Sequence, residues 1–304
     1  LVSAPAGYGK STLVSCWLDR CDSPSTWLSL DENDNDLRQF LSYIIAAVKT
    51  IFPNAVSATN TLVDAPTLPP LSTLVGTLAN ELDAIEQNFI LVLDDIHCIQ
   101  EQSVHHFLKD LLRHPPQPMH LVLIGRRDPL LSIAALRARS QLAEIRLQDL
   151  RFTAAETAAY LQQIMKMQIA DDLAVTWTEK TEGWVSGLRL AALSIQHRGD
   201  LKTIPPEFKG GTQYVMEYLF SEVLARQPPD LRAGLIKTSI LDRFCAPLYD
   251  AMVETGVVPG DTQNDAWQFI TQLKKKNLFL IGLDAEGQWF RYHHLFQNLL
   301  KRQL

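Results

Sequence analysis

The sequence predicts an α/β fold built on a parallel sheet, followed by a small helical domain and a domain of three helices and a β-hairpin. Three observations support this prediction. Apolar strand patterns alternate with amphipathic helix patterns up to about residue 150, only helix patterns follow up to residue 227, and the chain ends in helices and two strand patterns. The expected domains are therefore residues 1–150, 151–227 and 228–304.

The first domain shows strand patterns separated by helix patterns. A short strand at residues 26–30 precedes helices at 37–51 and 71–85, and the four prolines of residues 52–70 predict a loop between those helices. Residues 89–93 are continuously apolar, as in a strand buried on both faces. The alternation then continues with a helix at 101–113, a strand at 121–124, a helix at 130–138 and a strand at 144–147. We therefore expect a parallel sheet with helices on both faces.

The other two domains are recognised by their helix patterns and turns. Two prolines and two glycines at residues 204–211 predict a break between helices. The strand patterns at 278–283 and 288–292 flank residues 284–287, whose sequence D-A-E-G favours a hairpin turn. The helix patterns occupy residues 154–165, 173–181, 185–197, 213–227, 230–240, 246–254 and 264–276. Three helices followed by a β-hairpin are typical of a winged helix.

Composition and charge exclude several classes of function. The chain has 304 residues, 46% of them hydrophobic, and its net charge of −6 argues against a protein that mainly binds nucleic acid or a membrane surface. No apolar run is long enough to cross a bilayer. The four cysteines form no C-x-x-C pair, so we expect reduced thiols and a cytoplasmic location. The sequence starts with Leu1 rather than Met and stops within a helix pattern, so we expect a fragment of a longer protein.

The most informative motif occupies residues 4–11, which read A-P-A-G-Y-G-K-S. Gly7 and Gly9 permit the backbone to turn its N–H groups toward phosphate oxygens. Lys10 supplies a positive charge to the terminal phosphates, and the Ser11 hydroxyl is suited to Mg²⁺. A helix pattern follows at once, so the positive end of that helix would face the anion. The motif predicts a P-loop that binds ATP or ADP with Mg²⁺; the alternative is an ordinary glycine-rich turn.

Two acidic residues and an arginine follow the central strand patterns. Asp94 is expected to hold Mg²⁺, directly or through water, and Asp95 to polarise the attacking water as a general base. The alternative for either acid is a capping or turn role. Arg126 follows the next strand pattern and is expected to stabilise charge at the terminal phosphate. Its alternative is a surface arginine paired with Asp128.

Three further features have a structural explanation. His293 and His294 begin a helix pattern, where histidines are usually capping or solvent-facing residues. Trp184 lies in the apolar stripe of a helix pattern, and core packing explains it there. The three lysines at residues 274–276 end a helix pattern, where the helix dipole favours cations.

Longer runs of residues extend the argument from single motifs to the whole chain. In addition to the phosphate loop and the acidic pair, the chain contains in order W-L-S-L-D-E-N-D-N-D, T-E-G-W-V-S-G-L-R-L-A-A, N-L-F-L-I-G-L-D and R-Y-H-H-L-F. Together these runs resemble the MalT-like ATP-dependent transcription activators, which are large LuxR-type regulators of the STAND class of signal-transducing NTPases. The resemblance covers nearly the whole chain.

The resemblance implies a nucleotide switch that contains a P-loop domain, a helical domain and a winged-helix domain. In such switches ADP is held between the first and last domains at rest, a small-molecule or protein inducer together with ATP opens this state, and the protein self-associates. A LuxR-type helix-turn-helix would bind DNA, and it does not lie in this sequence. No membrane partner is implied.

The resemblance also assigns roles to individual residues. The family's nucleotide-binding loop corresponds to Ala6, Gly7, Tyr8, Gly9, Lys10, Ser11 and Thr12. Its acidic pair corresponds to Asp94 and Asp95, with Arg126 after the next strand. The histidine that related switches place against the phosphates of ADP corresponds to His293. One position departs from the pattern, because Val185 stands where many STAND proteins have a proline after the glycine of the helical domain.

Two other functions compete with a switch that hydrolyses ATP slowly in order to reset itself. The first is an AAA-type ATPase with sustained turnover in a ring, and the winged helix directly after the helical domain argues against it. The second is a binding module in which ADP is a structural ligand, and the intact acidic pair argues against that. Direct DNA binding by the winged helix would need a basic face, whereas its predicted hairpin turn is acidic.

Overall fold

The computed structural model describes residues 1–166, 168–198, 212–255, 265–276, 278–284 and 286–304. These residues form two compact units. The first consists of Leu1–Ala4 and Lys10–Arg146, and the second of Pro5–Gly9 and Leu147–Leu304. The break expected at residues 204–211 lies outside the described residues, as does Ala285 of the expected hairpin turn.

The first unit contains a parallel five-stranded sheet, as the alternation of patterns predicts. Its order is β2-β3-β4-β1-β5, and every neighbouring pair is parallel. The strands are β1 Val2–Ser3, β2 Ser25–Ser29, β3 Phe89–Asp94, β4 Met119–Gly125 and β5 Ile145–Arg146. Because parallel strands all end at the same edge, this order brings the ends of β3 and β4 next to each other.

Strand β3 is buried on both faces of the sheet. Phe89, Leu91 and Leu93 belong to the main apolar core, while Ile90 and Val92, which alternate with them, are also buried. The helices of this unit are α1 Lys10–Leu18, α2 Leu37–Ile51, α3 Ser57–Asp64, α4 Leu71–Asp83, α5 Gln102–Leu111 and α6 Ile133–Ala138. The core on the Leu91 face is built by α2 to α5, and α1 packs against β4.

The prediction of a loop over residues 52–70 is wrong, because the segment contains helix α3. The N-terminus of α3 has no local side-chain cap. Glu81 of α4 replaces it, with its carboxylate accepting hydrogen bonds from the backbone N–H of Ala58 at 2.8 Å and of Thr59 at 2.9 Å. Val63, on the same helix, is buried in the main core. The prolines of this segment all lie outside the short helix. The residue that caps the helix comes from another helix.

The second unit is mainly helical and ends in a hairpin followed by a helix. Its helices are α7 Leu147–Leu150, α8 Ala154–Met165, α9 Asp171–Thr181, α10 Val185–Arg198, α11 Thr212–Leu219, α12 Pro229–Thr238, α13 Ala246–Glu254, α14 Asp265–Lys275 and α15 His294–Lys301. Strands β6 Leu280–Gly282 and β7 Phe290–Tyr292 pair in antiparallel fashion. The helix expected at residues 213–227 is α-helical only to Leu219 and continues as a π-helical turn, Phe220–Leu224.

Two buried clusters hold the second unit together. Helices α8, α9 and α10 pack around Trp177, which is 1% exposed. Near the chain end, Phe244 forms a β-bridge with Phe290, and the buried Tyr292 hydroxyl lies 2.7 Å from the Thr238 hydroxyl. Among the described helices, none is both long and apolar enough to cross a bilayer.

The buried pair of Thr238 and Tyr292 provides a test of this packing. The Thr238 hydroxyl donates to the Gly234 carbonyl at 2.7 Å, so it accepts from Tyr292. We expect Thr238→Val to destabilise the chain by about 1–3 kcal/mol, because the tyrosine hydroxyl stays buried without its acceptor. Adding Tyr292→Phe removes that donor, so the double variant should lose less stability than the sum of the single variants. Urea unfolding followed by circular dichroism measures both, and additive losses would contradict the pairing.

Candidate functional site

The phosphate loop has the backbone geometry that its sequence predicts. Gly7 and Gly9 adopt φ values of +79° and +74°, in the left-handed region that favours glycine. A Cβ atom at Gly7 would lie 2.6 Å from Trp184 Nε1 and 2.7 Å from the Ser186 hydroxyl oxygen, so no larger residue fits there. Helix α1 begins at Lys10, directly after the loop. The positive end of that helix is therefore placed at the loop.

Lys10 is buried in an environment that suits an anion. Lys10 is 8% exposed. Burial, followed by the positive charge of Arg126, lowers the pKa of Lys10 to about 8, and Asp95 and Asp94 oppose this shift only in part. A phosphate group would favour the charged amine and relieve the repulsion from Arg126. The residues present therefore fit a bound di- or triphosphate.

The two acids differ in exposure. Asp94 ends the buried strand β3 and is 7% exposed, and its Oδ1 accepts a 2.9 Å hydrogen bond from the backbone N–H of Asp95. Asp95 has a left-handed φ of +56°, and its side chain is 47% exposed. Burial, with a contribution from the Asp94 charge, raises the pKa of Asp95. The strand end thus offers one sheltered carboxylate and one accessible carboxylate of raised basicity.

Arg126 lies where its charge reaches the other groups of the first unit. It follows the end of β4, and its positive charge lowers the pKa values of Lys10 and His97 and opposes the rise at Asp95. The alternative partner considered from sequence, Asp128, forms its ion pair with Arg146. These effects place the Arg126 charge near Lys10, Asp95 and His97, and its role at a terminal phosphate stays a prediction.

His97 belongs to this group and is absent from the candidates that the sequence suggested. Its Nδ1 lies 3.5 Å from Asp95 Oδ1, and its carbonyl accepts a 2.9 Å hydrogen bond from Arg127. Burial and the charges of Arg126 and Lys10 lower the pKa of His97 to about 3, so the ring is neutral at physiological pH. Its position two residues after Asp95 is the only feature of the sequence by which we could have recognised it as a site residue.

Ser11 and Thr12 occupy the first turn of α1 and are exposed. A Ser11 hydroxyl and an Asp94 carboxylate are hard oxygen donors of the kind Mg²⁺ prefers. The described residues contain no group of three or more His, Cys, Asp or Glu side chains that would hold a metal without help. Proteins usually bind Mg²⁺ with one or two protein oxygens together with nucleotide phosphates, and Ser11 and Asp94 as its ligands stay a prediction.

His293 is engaged by the protein in this conformation. It is 1% exposed, its Nε2 donates to the Thr181 carbonyl at 2.8 Å, and its Nδ1 accepts from the backbone N–H of Leu295 at 3.2 Å. Burial lowers the pKa of His293 to about 4, so the ring is neutral. A hydrogen bond from Nε2 to a nucleotide phosphate would require the bond to Thr181 to break, and this contact stays a prediction.

Trp184 contacts the phosphate loop directly, in addition to the core packing that the sequence suggested. Its Nε1 donates to the Ala6 carbonyl at 2.9 Å, and the backbone N–H of Ser186 donates to the Gly7 carbonyl at 3.1 Å. Val185 lies against Gly9, since a Cβ atom there would be 3.7 Å from Val185 Cγ1. The loop is thus supported by the start of α10.

Family models match both ends of the chain. The model of the AAA ATPase domain matches residues 1–124, and the model of the MalT winged helix domain matches residues 220–304. The solved Walker-type ATPase PABY2304 of Pyrococcus abyssi matches 99% of this chain and 90% of its own, with a TM-score of 0.66 and 12% identity. The fold and the loop together define an ATPase-type P-loop domain followed by a winged-helix domain, and such a domain implies nucleotide binding.

Curated relatives make the assignment more specific. The HTH-type transcriptional regulator MalT of Klebsiella pneumoniae is 34% identical over 307 residues, and that of Cronobacter sakazakii is 32% identical over 307 residues. Both alignments cover 100% of this chain and 33% of the relative. The chain is MalT-like and corresponds to the N-terminal part of such a protein. It spans about a third of the length of these relatives.

The lowered pKa of Lys10 predicts a pH dependence of nucleotide binding. A bound phosphate stabilises the charged amine, so the pKa of Lys10 is higher in the complex than the value of about 8 in the free protein. Affinity for ADP is then greatest below pH 8 and falls above it, by at most about tenfold per pH unit. Calorimetric titrations between about pH 7 and pH 9.5 measure this, with proton uptake on binding. Lys10→Arg does not titrate in this range, and a wild-type affinity as flat as that of this control would contradict the prediction.

Proposed function

We propose that this chain is the nucleotide-dependent switch of a transcriptional regulator. ATP and ADP bind through the loop of residues 6–12, with Mg²⁺ held by Ser11 and Asp94. The observation that carries the proposal is Lys10, a buried lysine with a lowered pKa at the start of α1, directly after two left-handed glycines. A phosphate at this position would favour the charged form of the amine, whose pKa is lowered by burial and by Arg126. The left-handed glycines allow the loop N–H groups to turn toward the same anion.

Hydrolysis in this proposal relies on few groups. Bound Mg²⁺ would neutralise charge on the phosphates. Asp95, accessible and of raised pKa, orients the attacking water and accepts its proton, and Arg126 stabilises the charge that develops on the terminal phosphate. His97, whose Nδ1 lies 3.5 Å from Asp95 Oδ1, is neutral at physiological pH because its pKa is lowered to about 3, so it does not add a positive charge beside that carboxylate.

The regulatory part of the proposal rests on the relatives. They are named HTH-type transcriptional regulators, and the chain spans about a third of their length. We propose that ADP maintains an inactive state, that a small-molecule or protein inducer together with ATP converts it to a self-associating state, and that DNA is bound by a domain outside these residues. A cytoplasmic location follows from this role.

An AAA-type ATPase with sustained turnover is the second candidate, because the AAA ATPase domain model matches residues 1–124. The two candidates differ in rate. A switch hydrolyses ATP slowly and retains ADP. A motor-type ATPase turns over continuously, with a turnover rate of roughly 1–10³ s⁻¹, as is typical of enzymes. Steady-state phosphate release by the isolated chain, with and without ADP added beforehand, separates them: persistent fast release would favour the second candidate.

Lys10→Ala tests nucleotide binding itself. The change removes the charge that faces the phosphates, so affinity for ADP and for ATP should fall by about a hundredfold or more, while the circular dichroism spectrum stays that of the wild type. Lys109→Ala, which truncates an exposed lysine of α5, is the control and should bind as the wild type does. If Lys10→Ala retained the wild-type affinity in calorimetric titrations, the phosphate-loop assignment would be wrong.

The acidic pair is tested by separating binding from hydrolysis. Asp95→Asn should reduce the rate of ATP hydrolysis by about 10²–10⁴-fold and leave ADP affinity nearly unchanged, because a general base acts in the transition state. Asp94→Ala should in addition weaken Mg²⁺-dependent ATP binding. Single-turnover hydrolysis and calorimetry measure the two effects, and Asp110→Asn, on the surface of α5, is the matched control. Wild-type hydrolysis in Asp95→Asn would exclude Asp95 as the base.

A further inference from the structure

The turn between α9 and α10 lies where several parts of the second unit meet. It comprises residues 181–186, and we call it the 181–186 turn. Glu182 and Gly183 adopt left-handed φ values of +50° and +68°. Phe152 donates its backbone N–H to the Gly183 carbonyl at 3.0 Å, and a Cβ atom at Gly183 would lie 2.7 Å from the Phe152 backbone. The turn is therefore held in one conformation by close backbone contact.

On one side, the 181–186 turn fixes two peptide groups of the phosphate loop. Trp184 Nε1 donates to the Ala6 carbonyl and the Ser186 N–H to the Gly7 carbonyl. In a planar trans peptide the C=O and the following N–H point in opposite directions. Fixing these carbonyls therefore fixes the directions of the N–H groups of Gly7 and Tyr8. Those are donors that a phosphate loop turns toward its anion.

On its other side, the turn is bound to strand β7 and the start of α15. Glu182, whose side chain is 7% exposed, forms a bidentate ion pair with Arg291 at 2.8 and 3.1 Å. The backbone N–H of His294 donates to the same carboxylate at 3.2 Å. Burial acts to raise the pKa of Glu182, but these partners outweigh it and the pKa is lowered. The Trp184 ring also packs edge-on against His293 and Phe279.

We propose that Glu182 and Trp184 are positioning residues that couple the winged-helix strand β7 to the phosphate loop. This inference rests on the proposed function, since it requires that the loop bind a nucleotide. Arg291 fixes the position of Glu182 through the ion pair, and Glu182 is part of the 181–186 turn. The turn then orients the N–H groups of the loop through its hydrogen bonds to the Ala6 and Gly7 carbonyls. Nucleotide affinity thereby depends on Arg291, a residue that belongs to β7 and is not part of the loop.

The physical basis of the coupling is the burial of Glu182. A bidentate arginine pair is geometrically specific. Removing Arg291 leaves the buried Glu182 carboxylate with weaker compensation, since the Arg151 guanidinium lies 3.9 Å away. Glu182 must then move toward water, which shifts the residues that follow it, including Trp184 and Ser186. By linkage, a nucleotide that favours the ordered loop favours the ion pair to the same extent.

The experiment compares ADP affinities of the 304-residue chain with Mg²⁺ present. We expect Arg291→Gln to weaken ADP binding by about tenfold and Trp184→Phe, which keeps an aromatic ring but loses the donor, by about fivefold. Arg291→Lys keeps the charge without the fork and should be intermediate. The double variant Glu182→Gln with Arg291→Gln should bind more tightly than the sum of its single effects predicts, because the carboxylate that loses its bidentate partner is then absent.

Arg226→Gln is the matched control, since Arg226 forms an exposed ion pair with Glu222 in the same unit; its ADP affinity should equal that of the wild type. Thermal unfolding without nucleotide and ADP-induced changes in tryptophan fluorescence are measured in parallel. The fluorescence change should be reduced in both Arg291→Gln and Trp184→Phe.

The outcomes separate this inference from the function on which it rests. If the wild type binds no ADP, the proposed function fails and the coupling fails with it. If the wild type binds ADP and Arg291→Gln and Trp184→Phe bind it equally well, even with lower unfolding temperatures, the ion pair is only structural and the coupling is overturned. If Arg291→Gln does not fold, the same comparison is made with Arg291→Lys and Trp184→Phe.

Discussion

The direction of the peptide groups in the phosphate loop is the constraint on which the rest of the site depends. Gly7 and Gly9 allow the left-handed backbone conformation. Because glycine is the least restricted residue, its presence alone does not fix the loop in that conformation. Selection comes from hydrogen bonds that the Ala6 and Gly7 carbonyls accept from Trp184 and the Ser186 backbone. A flexible sequence thereby becomes a preorganised anion receptor, which reduces the entropy lost on binding.

Charge is distributed in this molecule according to what each group has to bind. In the first unit Lys10 and Arg126 lie close enough to lower the pKa of Lys10, an arrangement that favours an anion. In the second unit Glu182 and Arg291 compensate each other within the protein, which favours rigidity. The first arrangement is suited to binding an anionic ligand and the second to holding the fold, although Lys10 and the Glu182 side chain are both largely buried.

Local sequence predicted those elements whose causes are local. The phosphate loop, the buried strand β3 with its two acids and the bounds of α2, α8 and α13 all follow from glycine positions and apolar periodicity. Helix α3 was missed because its cap comes from Glu81 on another helix. The contact of Trp184 with Ala6 was missed because the partners are 178 residues apart, and a buried indole in a helical stripe gives the same pattern whether or not its N–H has a partner. The family resemblance supplied His293, but only the structure shows that Thr181 holds its Nε2.

The lowered pKa of Lys10 also makes its amine more reactive than that of an ordinary lysine. An amine with a pKa of about 8 is neutral far more often at physiological pH than an ordinary lysine, whose pKa is about 10.4. Neutral amines are nucleophiles, so Lys10 is the lysine of this site that an acylating reagent small enough to enter would modify first. A bound nucleotide would suppress that reaction in two ways, because it would block access to the amine and would favour the protonated form. The reactivity of a single side chain would then report, in a complex mixture, how much of the protein carries nucleotide.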